Sequence, residues 1–211
     1  MSLTDSVARK ARTMLKQERR EQREQDLATK ILALPDKRYG AILADAGWRF
    51  EPYSRITGMD RAADNHYVTS SLEQIKTIDV GSIAAPDCAL YLWGTRPMIK
   101  AAHAVMEAWG FEYKSQQAWD KEILGTGFWY RDQHEILLFG TRGKVPCPAP
   151  GAQWPSLIRE RKRAHSQKPE WAYRMIEEYF PNLPKVELFA RTARPGWDRW
   201  GLEAPDTEAA E

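Results

Sequence analysis

A carboxylate and an indole follow an apolar run near residue 40 of this chain. Residues 39–44 are mostly apolar, and Asp45, Ala46, Gly47 and Trp48 come directly after them. Such a run is typical of a β-strand, and open α/β sheets bind ligands beyond the carboxyl ends of their strands. There Asp45 would accept hydrogen bonds and Trp48 would stack on a flat, amine-bearing ligand. An ordinary turn beside a core aromatic residue fits the same pattern equally well.

The composition indicates a globular protein with a substantial core. The 211 residues are 43% hydrophobic, enough for one domain plus an extension. A net charge of +2 does not by itself indicate nucleic-acid binding, but nine tryptophans supply rings that can stack on bases. The two cysteines and four histidines lack metal-ligand spacing, and no secretory or membrane-spanning run is present. These features predict a cytoplasmic protein with no metal site and no membrane partner.

Strand and helix patterns alternate along the chain and predict an α/β domain between two charged ends. We expect residues 1–34 to form a charged helical arm that faces water, phosphates or a second subunit, and residues 204–211 to form a disordered acidic tail. The predicted elements between them are a first strand from residue 39, a long loop over 49–69, a short helix over 70–78, a strand over 88–93, a helix over 97–109, a hairpin of strands 111–119 and 135–140, a surface loop over 141–168, a helix over 169–180 and a last strand over 186–190.

Several motifs, taken in chain order, resemble the adenine N6-methyltransferase family typified by the messenger-RNA adenosine methyltransferases, whose bacterial and phage relatives act on DNA. Each motif is weak alone, but the ordered set from residue 39 to about 203 is specific. The motifs are Leu43-Ala44-Asp45-x-x-Trp48-Arg49-Phe50, Tyr67-x-Thr69, Leu92-Trp93, Trp109-Gly110-Phe111, Gly127-Phe128-Trp129 with His134-Glu135, His165-Ser166-x-Lys168-Pro169, and Glu187-Leu188-Phe189-Ala190-Arg191.

The resemblance implies a fold for residues 35–203. This is a Rossmann-like S-adenosylmethionine-dependent methyltransferase fold in permuted order, with a mostly parallel sheet and an antiparallel hairpin at one edge. The catalytic strand then comes first in the chain, and the strand that holds S-adenosylmethionine comes late.

The resemblance also implies how the adenine base is held. The Asp45 carboxylate and the backbone carbonyl of Ala46 would accept the two hydrogens of the exocyclic amine and hold its nitrogen in line with the sulfonium methyl group. Trp48, after Gly47 in the catalytic tetrapeptide, would stack on the base, and Tyr67 would support it in a flipped or single-stranded state. Lys121 and Glu135 match polar residues near the substrate, although an ion pair at the rim fits them equally well.

The cofactor residues follow from the same resemblance. Lys168 would bind the carboxylate of S-adenosylmethionine, Arg191 would lie at its ribose and carboxylate region, and Phe189 would form an apolar wall. Asp45, Leu202 and Glu203 complete the predicted cofactor set. The basic residues Arg161 and Arg163 would contact nucleic acid, with DNA favoured over RNA because the chain is compact. A homodimer or a partner subunit is a further expectation.

Two departures from the family pattern predict impaired activity. The usual tetrapeptide is Asp-Pro-Pro-Trp, and each missing proline removes on the order of 1 kcal/mol of preorganisation, about tenfold in rate. Leu202 stands where an Asn usually bonds the cofactor ribose, a loss of about 1–3 kcal/mol. Prolines at Ala46 and Gly47 should therefore raise turnover, and Leu202→Asn should tighten cofactor binding. The departures fit an engineered, impaired enzyme or a natural, catalytically silent module that binds nucleic acid or a partner.

Overall fold

The computed structural model describes residues 34–48, 72–127, 129–163 and 167–201, which all belong to one compact unit. The predicted N-terminal arm lies outside these ranges except for Leu34, and the loop over 49–69 and the acidic tail lie outside them entirely. Tyr67, Leu202 and Glu203 also lie outside the described residues, so their proposed roles stay predictions.

Seven strands form one mixed sheet. They are β1 (Tyr39–Ala44), β2 (Ala84–Thr95), β3 (Glu112–Asp120), β4 (His134–Arg142), β5 (Leu157–Arg159), β6 (Lys185–Leu188) and β7 (Trp197–Trp200), in the order β5-β3-β4-β2-β1-β6-β7. Four of the neighbouring pairs are parallel, and β4 runs antiparallel to both of its neighbours, β2 and β3. The predicted α/β class with a mostly parallel sheet is confirmed.

A helix lies within each of the three predicted helical ranges, and a further short helix was not predicted. The helical elements are α1 (Leu72–Lys76), α2 (Val80–Ile83), a 3-10 turn over Arg96–Met98, α3 (Ile99–Ala108) and α4 (Glu170–Tyr179). Pro97 lies in the turn that leads into α3, and Gly110 follows that helix with a φ of 81°. Pro169 is the N-cap residue of α4. Among the described residues, no helix is long and apolar enough to cross a membrane.

Both faces of the sheet are covered, so the interior strand β1 is buried along its whole length. This explains its near-continuous apolar sequence, which is typical of a parallel strand with helices on both sides. On one face Ile42 belongs to the core layer that contains the buried residues of α3. On the other face Leu43 and Trp93 belong to the layer formed with Trp171 and Met175 of α4.

The structure adds elements that the sequence patterns did not predict. The short strand β5 lies inside the predicted surface loop and pairs with β3, so the predicted hairpin is one strand in from the edge. A seventh strand, β7, pairs with β6. The predicted strand over 186–190 ends at Leu188 because Phe189 has a φ of 63°, which is incompatible with extended backbone.

The strand directions gather one set of strand ends at a single edge of the sheet. Because β1, β2 and β6 are parallel, their carboxyl ends point the same way. Glu135 at the start of the antiparallel strand β4 pairs with Thr95 at the end of β2, and Asp120 at the end of β3 pairs with His134. Asp45, Lys121 and Glu135 therefore lie at this same edge, where an open α/β sheet binds its ligand.

Candidate active site

Asp45 is the first residue after the buried strand β1. Its backbone N–H donates to the carbonyl of Leu188 at the end of β6, at 3.4 Å, which keeps the two strand ends together. Its side chain is only 17% exposed, and Oδ1 lies 3.1 Å from Nζ of Lys168. The structure therefore has a largely buried carboxylate, ion-paired with Lys168, at the ligand edge of the sheet.

Four side chains of alternating charge form a continuous chain across this edge. Lys168 contacts Asp45 and also lies 2.9 Å from Oε2 of Glu135, whose Oε1 lies 3.2 Å from Nζ of Lys121. All four side chains are between 13% and 18% exposed. The structure thus brings together four of the residues that the sequence singled out, and Lys121 and Glu135 do form an ion pair.

Lys168 lies in a defined position between these carboxylates. It precedes Pro169, the N-cap residue of α4, and its ammonium group lies 5.4 Å from the ring centroid of Trp93. That ring packs edge-on against Trp119 and Trp171. The contacts of Lys168 are with protein carboxylates and an indole, and its contact with a cofactor carboxylate stays a prediction.

Burial and charge act in opposite directions on these groups. Burial raises the pKa of Asp45, and the negative charge of Glu135 adds to this, while Lys168 opposes it. Burial also acts to raise the pKa of Glu135, but the two lysines outweigh it and lower that pKa. For Lys168, burial alone would lower the pKa, yet Asp45 and Glu135 raise it to about 12. Lys168 is therefore a fixed positive charge at neutral pH.

The rest of the tetrapeptide belongs largely to the core. Trp48 is 8% exposed, and its indole N–H donates to the carbonyl of Trp93 at 3.0 Å. Its backbone N–H donates to the carbonyl of Ala46 at 2.8 Å, which leaves that carbonyl one further lone pair. Ala46 is 2% exposed and Gly47 is half-buried. The stacking role of Trp48 and the amine-accepting role of the Ala46 carbonyl both stay predictions.

The segment after β6 lies beside Asp45. The ring of Phe189 packs edge-on against Trp200 at 5.5 Å. A Cβ at Gly201 would lie 2.9 Å from Cα of Phe189, so only glycine allows the backbones to approach this closely. Arg191 is half-buried, and its positive charge acts to lower the pKa of Asp45 and of Glu187.

Glu187 is a site residue to which the sequence patterns gave no role. Its carboxylate is buried in the middle of β6 and accepts a hydrogen bond from the hydroxyl of Tyr173 at 2.9 Å. Burial raises its pKa to about 7, with the negative charge of Asp45 adding to the effect. The available signal was a charged residue inside the apolar run over 186–190, because buried carboxylates rarely occur without a functional or structural reason.

The basic residues Arg161 and Arg163 are exposed on a segment beside the hairpin. Backbone N–H groups of this segment donate to the end of β3, from Glu160 to Asp120 at 3.1 Å and from Lys162 to Lys121 at 3.2 Å. The basic segment therefore flanks the charged chain. Within the described ranges, no group of three His, Cys, Asp or Glu side chains is arranged to hold a metal ion.

Comparisons with known proteins assign this arrangement to a family. The profile of the MT-A70 family matches residues 39–203, which contain the described site. The chain is 36% identical over 190 residues to the type II methyltransferase M.MunI of a Mycoplasma species, covering 83% of this chain and 82% of that protein.

More distant relatives are much longer. The N(6)-adenine-specific methyltransferase METTL4 of Mus musculus is 25% identical over 79% of this chain, and the N(6)-adenosine-methyltransferase catalytic subunit METTL3 of Homo sapiens is 25% identical over 76%. The chain spans 38% and 27% of these two proteins. From the matched residues and the identity to M.MunI, we conclude that the chain belongs to the MT-A70 family of S-adenosylmethionine-dependent methyltransferases.

Proposed function

We propose that this protein transfers a methyl group from S-adenosylmethionine to the exocyclic N6 amine of adenine in DNA. The observation that carries the proposal is the buried Asp45 carboxylate at the end of β1, held by Lys168. The names of the relatives support the position of methylation, since METTL4 is called an N(6)-adenine-specific methyltransferase and METTL3 the catalytic subunit of an N(6)-adenosine-methyltransferase.

The described residues fit a cationic cofactor. S-adenosylmethionine carries a sulfonium and an ammonium group, and when bound it supplies an electrophilic methyl group. Asp45 and Glu187 both have raised pKa values, which means that their negative charges are incompletely compensated in the protein alone. A positive charge placed beside these two carboxylates would stabilise their ionised forms. We propose that these two carboxylates face the cationic part of the cofactor, with Arg191 beside its ribose and carboxylate.

The same carboxylate can orient the amine. The adenine N6 lone pair is delocalised into the ring, so the nitrogen must be held in line with the methyl group. Lys168 contacts Oδ1 of Asp45 and thereby fixes the carboxylate plane. Oδ2 of Asp45 would then accept one amine hydrogen, and the carbonyl of Ala46 would accept the other. These bonds favour the pyramidal nitrogen of the transition state over the planar ground state.

Asp45 also suits removal of the excess proton. When the nitrogen gains a methyl group it becomes positively charged and must lose one proton. Burial makes Asp45 a stronger base than an exposed aspartate, so its Oδ2 can take that proton before release to water. Lys168 keeps its own proton, because its pKa of about 12 lies far above neutrality.

DNA is favoured as the substrate by the distribution of similarity. The Mycoplasma methyltransferase matches over most of its own length, whereas the adenosine methyltransferase METTL3 matches over about a quarter. The family's bacterial and phage relatives act on DNA, and we therefore place the reaction in the cytoplasm of a bacterial host.

A comparison of matched substrates tests the proposal. Radiolabelled methyl transfer is measured on single-stranded DNA, duplex DNA and RNA of one sequence, and the product is digested to nucleosides. We expect label in N6-methyladenine, with kcat/KM on the better DNA substrate at least about tenfold above RNA, a difference of about 1.4 kcal/mol. A higher kcat/KM on RNA would overturn the assignment of DNA as the substrate. Binding of nucleic acid without transfer of label would favour the catalytically silent binding module instead.

A further inference from the structure

The loop between β3 and β4 presents two aromatic rings to solvent. Trp129 is 91% exposed and Tyr130 is 76% exposed, the largest values among the exposed apolar side chains of the described residues. Soluble proteins rarely leave neighbouring large rings this accessible, and such patches commonly mark interaction sites. These two rings are therefore candidates for direct contact with a binding partner.

The backbone that carries the rings is firmly held. Arg96 forms an ion pair with Asp132 and donates to the carbonyl of Tyr130 at 2.9 Å. Arg131 donates to the carbonyls of Gly125 at 3.0 Å and Leu124 at 3.1 Å. A pre-organised loop loses little conformational entropy on binding, so the rings are suited to contact a partner directly.

The length of the chain limits the distance between the two rings and the charged side chains at the catalytic edge. The N–H of Lys121 donates to the carbonyl of Gln133 at 2.8 Å and closes the base of the loop. Glu135 of the charged chain follows Tyr130 by five residues, which span at most about 18 Å of extended chain. At about 3.4 Å per nucleotide along one strand, this reach corresponds to about five stacked nucleotides.

The charge of the surroundings favours nucleic acid over an apolar protein surface. The exposed basic segment over 159–163 contains four basic residues and one acidic residue, and it is bonded to the end of β3 where the loop begins. Exposed rings beside basic residues are the combination that binds single-stranded nucleic acid, with stacking on bases and cations on phosphates. An apolar partner would instead meet a charged rim.

We infer that Trp129 and Tyr130 form a stacking platform for unpaired bases that flank the target adenine. The inference rests on the proposed nucleic-acid substrate. The rings would hold the strand beside the catalytic edge while the basic segment contacts its phosphates. By stacking without reading base edges, the platform would add affinity for single-stranded or locally opened DNA with little sequence preference.

Binding of a 12-nucleotide single-stranded DNA tests the platform. The oligonucleotide carries one adenine and a fluorescent 2-aminopurine three positions away, and affinity is measured by anisotropy on Trp129→Ala, Tyr130→Ala and the double variant. We expect Kd to rise about fivefold or more for each ring removed, with loss of 2-aminopurine quenching. Trp129→Phe should retain most of the affinity. Leu124→Ala is the matched control, because Leu124 is 51% exposed on the same loop and carries no ring.

Other results of the same experiment would overturn the stacking platform or assign the loop to another role. Unchanged affinity in the double variant, or no binding by the unaltered protein, would overturn the platform. Equal losses in Leu124→Ala, together with a change of sedimentation from dimer to monomer, would assign the loop to a protein interface. Methyl transfer is scored separately, so ring-dependent binding without transfer would reject the proposed function and leave the platform standing.

Discussion

Lys168 connects two carboxylates that would otherwise repel each other. Its ammonium group lies 3.1 Å from Oδ1 of Asp45 and 2.9 Å from Oε2 of Glu135. Removal of one partner from such a buried ion network leaves uncompensated charge, which is more costly than the net gain from the pair itself. The lysine therefore sets the protonation of the proposed base as well as its orientation.

The first prediction concerns the acid limb of the pH profile. The positive charge of Lys168, 3.1 Å from Oδ1 of Asp45, acts to lower the pKa of that carboxyl group, so Lys168→Met should raise this pKa further. Because Asp45 acts as the anion, the acid limb of kcat/KM should move to higher pH. Lys121→Met is the control, since Lys121 pairs with Glu135 and should move the limb less. An acid limb that Lys168→Met does not move would contradict this role.

The second prediction concerns Glu187 and stability. Its native pKa of about 7 exceeds the ordinary 4.5, so the native protein binds this proton more tightly than the unfolded chain does. The resulting stabilisation is complete below pH 4.5 and is lost as the pH rises through 7. The ionised form should cost up to about 3 kcal/mol of unfolding free energy. Gln cannot ionise and can still accept the Tyr173 hydrogen bond, so Glu187→Gln should remove this cost.

Urea unfolding at pH 5 and pH 8 measures the cost of ionising Glu187 in the folded protein. The stability of Glu187→Gln relative to the unaltered protein should rise by about 1–3 kcal/mol between the two pH values. A difference that stays constant between pH 5 and pH 8 would show that Glu187 is ionised throughout.

At the scale of elements, the long apolar and amphipathic segments could be predicted from sequence and the short ones could not. The strand β1 is a near-continuous apolar run, and the helices α3 and α4 carry periodic apolar patterns. Pro97 and Gly110 bound α3, and Pro169 precedes α4. The strand β5 has three residues, two of them exposed, and its conformation depends on pairing with β3. The helix α2 has four residues, and β7 begins directly after Pro195-Gly196, so neither produced a recognisable period.

The site shows the same division. The sequence identified Asp45, Glu135 and Lys168 one by one, because each residue belongs to a recognisable motif of its own. Their ion pairs join residues that lie up to 123 positions apart, and such pairing depends on the strand order of the sheet. The contact of Lys168 with Trp93 and the buried Glu187 likewise follow from packing against α4.

The third prediction concerns the stiffness of the catalytic turn. The sequence favours prolines at both Ala46 and Gly47, but the structure separates the two positions. Gly47 is half-buried, so Gly47→Pro should raise the single-turnover methyl-transfer rate by up to about tenfold. Ala46 is buried in the core with α3, and the larger ring of Ala46→Pro should cost about 1–3 kcal/mol of stability. If Gly47→Pro does not raise the rate, the flexibility of this turn does not limit methyl transfer.

At the scale of the whole molecule, the net charge of +2 gives little general attraction for DNA. Attraction must therefore come from local surfaces, and the basic segment at the catalytic edge is the described surface that we expect to contact phosphates. A protein with few phosphate contacts should show a shallow dependence of affinity on salt.

The fourth prediction uses this salt dependence. Each phosphate contact with a single strand contributes about 0.7 to the slope of log K against log salt, so Arg161→Gln with Arg163→Gln should reduce the slope by about 1.4. Lys144→Gln is the control, because Lys144 follows β4 at the opposite edge of the sheet and is exposed. Equal slopes for the double variant and the unaltered protein would exclude these arginines from phosphate contact.

The most direct test of the central claim is methyl transfer by Asp45→Asn, measured with cofactor binding on the same preparation. Asn keeps the shape of the side chain and removes its charge and its basicity. We predict a loss of about 10²–10⁴-fold in the single-turnover rate with the fold retained, whereas Asp198→Asn, the same exchange in β7, should leave the rate unchanged. An Asp45→Asn protein that transfers methyl groups within about tenfold of the unaltered rate would contradict the account.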